Sequence, residues 1–188
     1  MQDKKLLLPR NTKLLATSNI YHELDAASEV WHVLRATGIC RDAQIIFIRR
    51  GKWWLRGLIG IAFDNDGLEA VEKMRSYLVK RPWIMEYTQR IIPVEVVTQD
   101  IDELIDFLAT KSAQRILPED TWMIRVSRHD SKISRMPIIE KIASRINFGK
   151  VNLMNPDWII NVEIIKDTFA AAVIRPYHII RKKELKMH

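Results

Sequence analysis

Cysteine is almost absent: Cys40 stands alone in 188 residues. That excludes an internal disulfide and any metal site built from several thiolates, and it agrees with a reducing compartment. Glycine is scarce too, with six residues scattered singly along the chain. None forms the clustered loop that cradles a phosphate or dinucleotide. No apolar run approaches the length of a membrane span. The opening MQDKKLLLPR reaches only three leucines before a proline, too short for the apolar region of a secretory signal. A cytoplasmic protein with no membrane partner is the expectation. The five histidines (His22, His32, His129, His178 and His188) have neither metal-ligand spacing nor cysteine partners, so no metal and no cofactor is expected.

Catalytic constellations are equally sparse. Asp100, Asp102, Glu103 and Asp106 crowd together, but acids in the first turns of an exposed helix complement its dipole without doing chemistry. Cys40 has Arg41 beside it, yet no base or second thiol accompanies it. A non-enzymatic protein is therefore expected.

What the chain does have is segregated charge. Residues 99 to 120 carry six acids against two bases, whereas residues 121 to 150 carry seven bases against Asp130 and Glu140. The tail from Arg175 to His188 adds five bases against Glu184. Within a formal charge of +7, this places a basic surface beside an acidic helix, and a polyanion is its natural partner. A merely solvated basic face is the competing reading.

Periodicity sets out the elements. KLLATS (13–18) reads as a strand, and Leu24 to Thr37 as a helix with Leu24, Ala27, Val30, Trp31 and Leu34 on one face. Gln44 to Arg49 and Trp53 to Phe63 flank an Arg-Gly-Lys turn as a hairpin. A second helix, capped by Asp64 or Asp66, buries Leu68, Val71, Met74, Tyr77 and Leu78. Ile91 to Val97 reads as a fourth strand with Pro93 suited to an edge. The order β-α-β-β-α-β is that of ferredoxin-like folds. An acidic helix from Ile101 to Ser112 opens the second half, expected from residue 99 to 188, after a first domain of residues 1 to 98. Trp122, Ile124 and Val126 then alternate as a strand, and Ser134 is a candidate cap for a helix through Ile146.

The basic cluster falls between that strand and that helix. Arg125 alternates away from the buried positions, Arg128 and His129 lie where the strand ends, and Lys132 and Arg135 lead into the helix. A helix N-terminus with nearby cations favours phosphate. Trp53 and Trp54 point to opposite faces of their strand, so one ring can stay exposed among Arg49, Arg50, Lys52 and Arg56.

The most specific stretch is Gly149 to Arg175, where Asn155-Pro156-Asp157 turns the chain before Ile160, Val162 and Ile164 alternate as a strand. The run Val151-x-Leu153-x-Asn155-Pro156-Asp157-x-x-Ile160-x-Val162-Glu163-Ile164 resembles the closing motif of the THUMP domain, an RNA-binding module of tRNA-modifying proteins. The segment from Arg125 to Ser134 is similar to an earlier part of that domain. The resemblance implies an α+β protein, with an N-terminal ferredoxin-like domain followed by an α/β THUMP domain, that engages the acceptor region of tRNA. For a tRNA-binding protein the basic cluster is expected to place Arg125, Arg128, Lys132, Arg135 and Lys150 on phosphates and His129 and Asn155 on a sugar or base. Arg181, Lys182 and Lys183 would extend the track. The chain ends about one strand after the motif, so it looks like the small THUMP adaptors that serve a separate tRNA cytidine acetyltransferase. A subunit of a methylation or thiolation system, or a module that docks an acidic partner enzyme, are the alternatives.

Overall fold

The computed structural model describes residues 6–50 and 52–185, with the side chains of residues 49, 50 and 53 outside the described set. Contacts divide the chain into two units, one of Asn11–Val94 with Tyr177–His188 and one of Met1–Arg10 with Glu95–Pro176. Each owns a five-stranded sheet.

In the first unit the chain runs β1 (Thr12–Ser18), α1 (Glu23–Ala36), β2 (Gln44–Arg50), β3 (Trp53–Ala62), α2 (Gly67–Val79) and β4 (Thr88–Pro93). Its order β4-β1-β3-β2, antiparallel throughout, is the ferredoxin-like arrangement expected from the sequence. Leu14, Ile59, Ile61 and Ile91 of the sheet pack with Val30, Leu34, Val71 and Met74 of the helices. Asp66 caps α2, its carboxylate accepting from the N–H groups of Leu68 and Glu69. The stripe of α1 is rotated from the expected one: Ala26, Ala27, Val30, Val33 and Leu34 are buried, while Leu24 is 74% exposed. A polar anchor accounts for the rotation. The Glu29 carboxylate accepts from the backbone N–H groups of Glu86, Tyr87 and Thr88 at 2.9, 2.8 and 2.8 Å, which fixes that face of the helix towards the start of β4.

The second unit contains β5 (Val96–Thr98), α3 (Ile101–Arg115), β6 (Thr121–His129), α4 (Arg135–Ala143), β7 (Lys150–Val151), β8 (Trp158–Ile165) and β9 (Thr168–Ile174). Strand order is β5-β9-β8-β6-β7, with β6 parallel to both β7 and β8 and the other pairs antiparallel. Trp122, Val126, Ile160, Val162 and Ile164 turn one sheet face to a core shared with Leu104 and Leu108 of α3 and with Ile138 and Ile142 of α4.

Two expectations are corrected here. The run from Ile91 to Val97 is not one strand, because consecutive residues bond to different sheets. Val94 N–H donates to the Lys13 carbonyl at 2.8 Å, and Glu95 N–H donates to the Ala171 carbonyl at 2.9 Å. The division between the units thus falls at residues 94 and 95 and not at 98 and 99. Nor is the end of the chain an appendage of the second half. It forms β10 (Ile180–Arg181), which pairs with β4 at Ile91 and Arg90, and a short α5 (Lys182–Leu185). Arg75 secures this segment by donating to the carbonyls of Tyr177 at 2.6 Å and Ile179 at 2.8 Å.

Candidate nucleic-acid interface

Parallel pairing of β6 with β8 needs a register lock, and the Asn-Pro-Asp turn supplies it. Asp157 Oδ2 accepts from the Thr121 N–H at 2.8 Å and from the Thr121 hydroxyl at 2.7 Å, while Asp157 N–H donates back to the Thr121 carbonyl at 3.0 Å. Trp158 Nε1 donates to Asp120 at 2.8 Å, and the Arg175 guanidinium lies 3.8 Å over the Trp158 ring. Gly149 adopts φ +67°, and a Cβ there would sit 2.8 Å from the Asp120 carbonyl oxygen. Only glycine satisfies both the left-handed backbone and the close approach.

The Thr121 N–H, and after it the Thr121 hydroxyl, hold the Asp157 carboxyl below the usual carboxylate range. A depressed folded pKa contributes stability above the unfolded pKa, and that contribution disappears as pH falls through the folded value. Asp157→Asn is therefore expected to lower stability at neutral pH. The gap from wild type should close in the acid range, as checked by urea midpoints measured against pH.

At its other end β6 delivers cations. Arg128 is exposed near the end of the strand, Lys132 is exposed in the following loop, and Arg135 opens α4. Together with Asp130 and Ser131 they line an open depression of about 420 Å³. Three bases face one carboxylate. A neighbouring depression of about 440 Å³ shares Arg128 and Arg135 and has an apolar floor of Ile124, Val126, Met136 and Ile139. Ser134 occupies the N-cap position of α4 without a side-chain cap bond, and Pro137 removes a donor from the first turn. The remaining N–H groups at that helix end add a positive potential to the cations.

The loop is held in place. Ser131 Oγ donates to the Lys166 carbonyl at 2.6 Å, and Lys166 N–H donates to the His129 carbonyl at 3.0 Å. Both Asp130 and Lys166 take left-handed backbone, with φ of 51° and 55°. Beneath it, His129 Nε2 lies 2.7 Å from Oε2 of the fully buried Glu163, and Arg125 Nε donates to Asn161 Oδ1 at 2.9 Å.

The expected site residues thus fall into three groups. Arg125, Arg128, Lys132 and Arg135 come together at one end of β6, with His129 beside them, its Nε2 turned to Glu163. Lys150 and Asn155 are exposed at the other end, since Lys150 pairs with Thr121 and Asp157 bonds the same residue. Seven residue steps along the strand, roughly 23 Å, separate Thr121 from Arg128. Arg181, Lys182 and Lys183 belong to the first unit, where Arg181 pairs with Glu184 at 2.8 Å and Lys182 donates to the Glu86 carbonyl. Sequence reasoning missed Ser131 and Met136. A serine two residues before Ile133, whose N–H it accepts at 3.2 Å, is the local signal for the turn, and Met136 had none. Of the two adjacent tryptophans, Trp54 is 53% exposed, and Trp53 lies outside the described side chains.

Among the described residues no group of three or more His, Cys, Asp or Glu side chains is arranged to hold a metal ion. No described helix is long and apolar enough to cross a membrane.

Comparison with known proteins places a domain on this geometry. Residues 98–171 match the THUMP domain. No curated protein matches the chain. Among solved structures, PH1313 from Pyrococcus horikoshii superposes with a TM-score of 0.58 at 12% identity, over 90% of this chain and 55% of that one. A 4-thiouridine synthetase, solved as an RNA complex with bound ATP, gives 0.54 at 14% identity over 90% and 42%. TrmN from Thermus thermophilus gives 0.54 at 13% identity over 88% and 47%. The chain spans about half the length of the structures it matches, and at these identities the likeness is one of fold.

Proposed function

Because residues 98–171 form a THUMP domain, we propose that the protein binds tRNA through the cationic end of β6. In this reading it is non-catalytic and presents the acceptor region to a separate modification enzyme, an RNA cytidine acetyltransferase. The observation that carries RNA binding is the convergence of Arg128, Lys132 and Arg135 on one open depression beside the uncapped start of α4. Cations and backbone N–H groups on a fixed loop suit phosphate oxygens, which position a nucleic acid without reading its sequence. The apolar floor next to it gives room for a sugar or base edge. The 4-thiouridine synthetase of matching fold, solved with RNA bound, supports a nucleic-acid ligand for this arrangement.

The resemblance of the Asn-Pro-Asp strand motif to the closing motif of the THUMP domain supports service to tRNA modification, and the adaptor role is the finer part of the proposal. Deleting the gene and quantifying tRNA nucleosides is the direct test. The expected result is loss of N4-acetylcytidine with other modified nucleosides retained. Loss of a thiolated or methylated nucleoside instead would reassign the partner. Purified protein that fails to bind tRNA but captures an acidic enzyme would make the same face a protein-docking surface.

A further inference from the structure

A second exposed cluster lies on the first unit. We propose that Tyr21, Trp54 and Arg56 form a stacking platform for an unpaired nucleotide of RNA. The Tyr21 ring is 72% exposed and Trp54 53%. Arg56 follows Trp54 by two residues on β3, so both side chains leave the same sheet face. Its guanidinium lies 4.4 Å from the centre of the Tyr21 ring and donates to the Tyr21 hydroxyl at 2.5 Å.

The platform is built rather than incidental. Tyr21 holds a left-handed backbone at φ +71°, an uncommon conformation for an aromatic residue. Glu23 fixes it, since one carboxylate oxygen accepts from the Tyr21 N–H at 3.3 Å and from the Gly57 N–H at 2.6 Å. Gly57 itself takes φ +72° where β3 departs from regular pairing with β2, which aims Arg56 at the tyrosine. Trp54 is braced by Phe47, met edge-on at 5.9 Å. Exposed flat rings and a guanidinium on one face are a surface on which single-stranded bases stack, whatever their identity.

Charge selects the occupant. Among the described side chains the hairpin offers Lys52 and Arg56 as exposed bases, and its sequence from Gln44 to Ala62 holds no acid. An acidic peptide would satisfy the bases but leave the ring faces unused. A nucleotide uses both, with its base on the rings and its phosphate near the cations.

The test titrates the full chain with a labelled, short single-stranded oligoadenylate and, separately, with tRNA. Trp54→Ala is expected to weaken oligoadenylate binding on the order of tenfold, and Trp54→Phe to restore it to within about threefold of wild type. The neutral Trp54→Ala change should leave the salt slope unaltered, whereas Arg56→Gln should lower it by about 0.7 for a single strand. Oligoadenylate affinity indifferent to Trp54→Ala and Tyr21→Ala would overturn the platform. So would oligoglutamate competing as well as oligoadenylate, or a Trp54→Ala loss that phenylalanine does not rescue. Binding of tRNA with no binding of oligoadenylate would remove the platform and leave the reading of the β6 site standing. Reversing charge at Arg128 and Arg135 should weaken tRNA while preserving the Trp54 dependence of oligoadenylate.

Discussion

Arg128→Glu combined with Arg135→Glu is expected to lower tRNA affinity on the order of a hundredfold at moderate salt. Each exposed arginine offers a charge-assisted bond to phosphate worth about 1.5 kcal/mol, so losing two removes about 3 kcal/mol. The same change should reduce the slope of log affinity against log salt by about two, because each phosphate contact releases roughly one counterion. Loss should be nearly equal across tRNA sequences, since phosphate contacts carry no base information. Both residues are exposed and line the open depressions, so the fold should tolerate their replacement. Filter binding over a salt series reads all three outcomes. An affinity that barely changes between low and moderate salt, in wild type and variant alike, would exclude this surface as the RNA site.

Arg115→Ala is expected to destabilise the second unit by about 3 kcal/mol. The guanidinium ends α3 and meets Glu95 through two parallel bonds of 2.8 and 2.7 Å. It also donates to the Val173 carbonyl at 2.6 Å, and Glu95 accepts from the Val173 N–H at 3.1 Å. Helix, β9 and the entry to β5 are thereby tied at one point. With side-chain exposures of 23% for Arg115 and 12% for Glu95, removing the base strands a carboxylate out of water. Replacing both together, Arg115→Met with Glu95→Leu, should recover most of the loss because no isolated charge remains. Urea unfolding of the two variants against wild type provides the measurement. Equal destabilisation of single and double variants would show that packing of the stems, and not the charge pair, carries the effect.

Much of this architecture could be read from side-chain periodicity, and the departures have identifiable causes. Trp122, Ile124 and Val126, like Ile160, Val162 and Ile164, alternate because only one face of their sheet meets α3 and α4. Leu24 fits the apolar spacing of α1 yet is exposed, since the Glu29 anchor on β4 outweighs one leucine in setting the helix's rotation. Ile91 to Val97 is apolar on both sides of the crossing, so nothing but Glu95 marks where one sheet is left for another. The cations Arg128, Lys132 and Arg135 were legible because they are neighbours in sequence. Lys150 and Asn155 were not, because their position depends on β6 and β8 running parallel. Hydrophobic alternation is the same for either strand direction. The tail's place beside β4 depends on Arg75, about a hundred residues earlier, which no local pattern connects to it.

The pairing of Ile180 with Ile91 also bears on how the chain is made. The first unit begins at Asn11, is interrupted after Val94 and resumes only at Tyr177. On the ribosome its four main strands emerge early, but the outer margin of β4 near Ile91 has no strand beside it until Ile180 and Arg181 arrive. An open strand margin is the kind of surface on which nascent chains pair wrongly. The later segment therefore acts as a closing clasp, and it reaches the unit only after residues 95–176 of the other unit have been made.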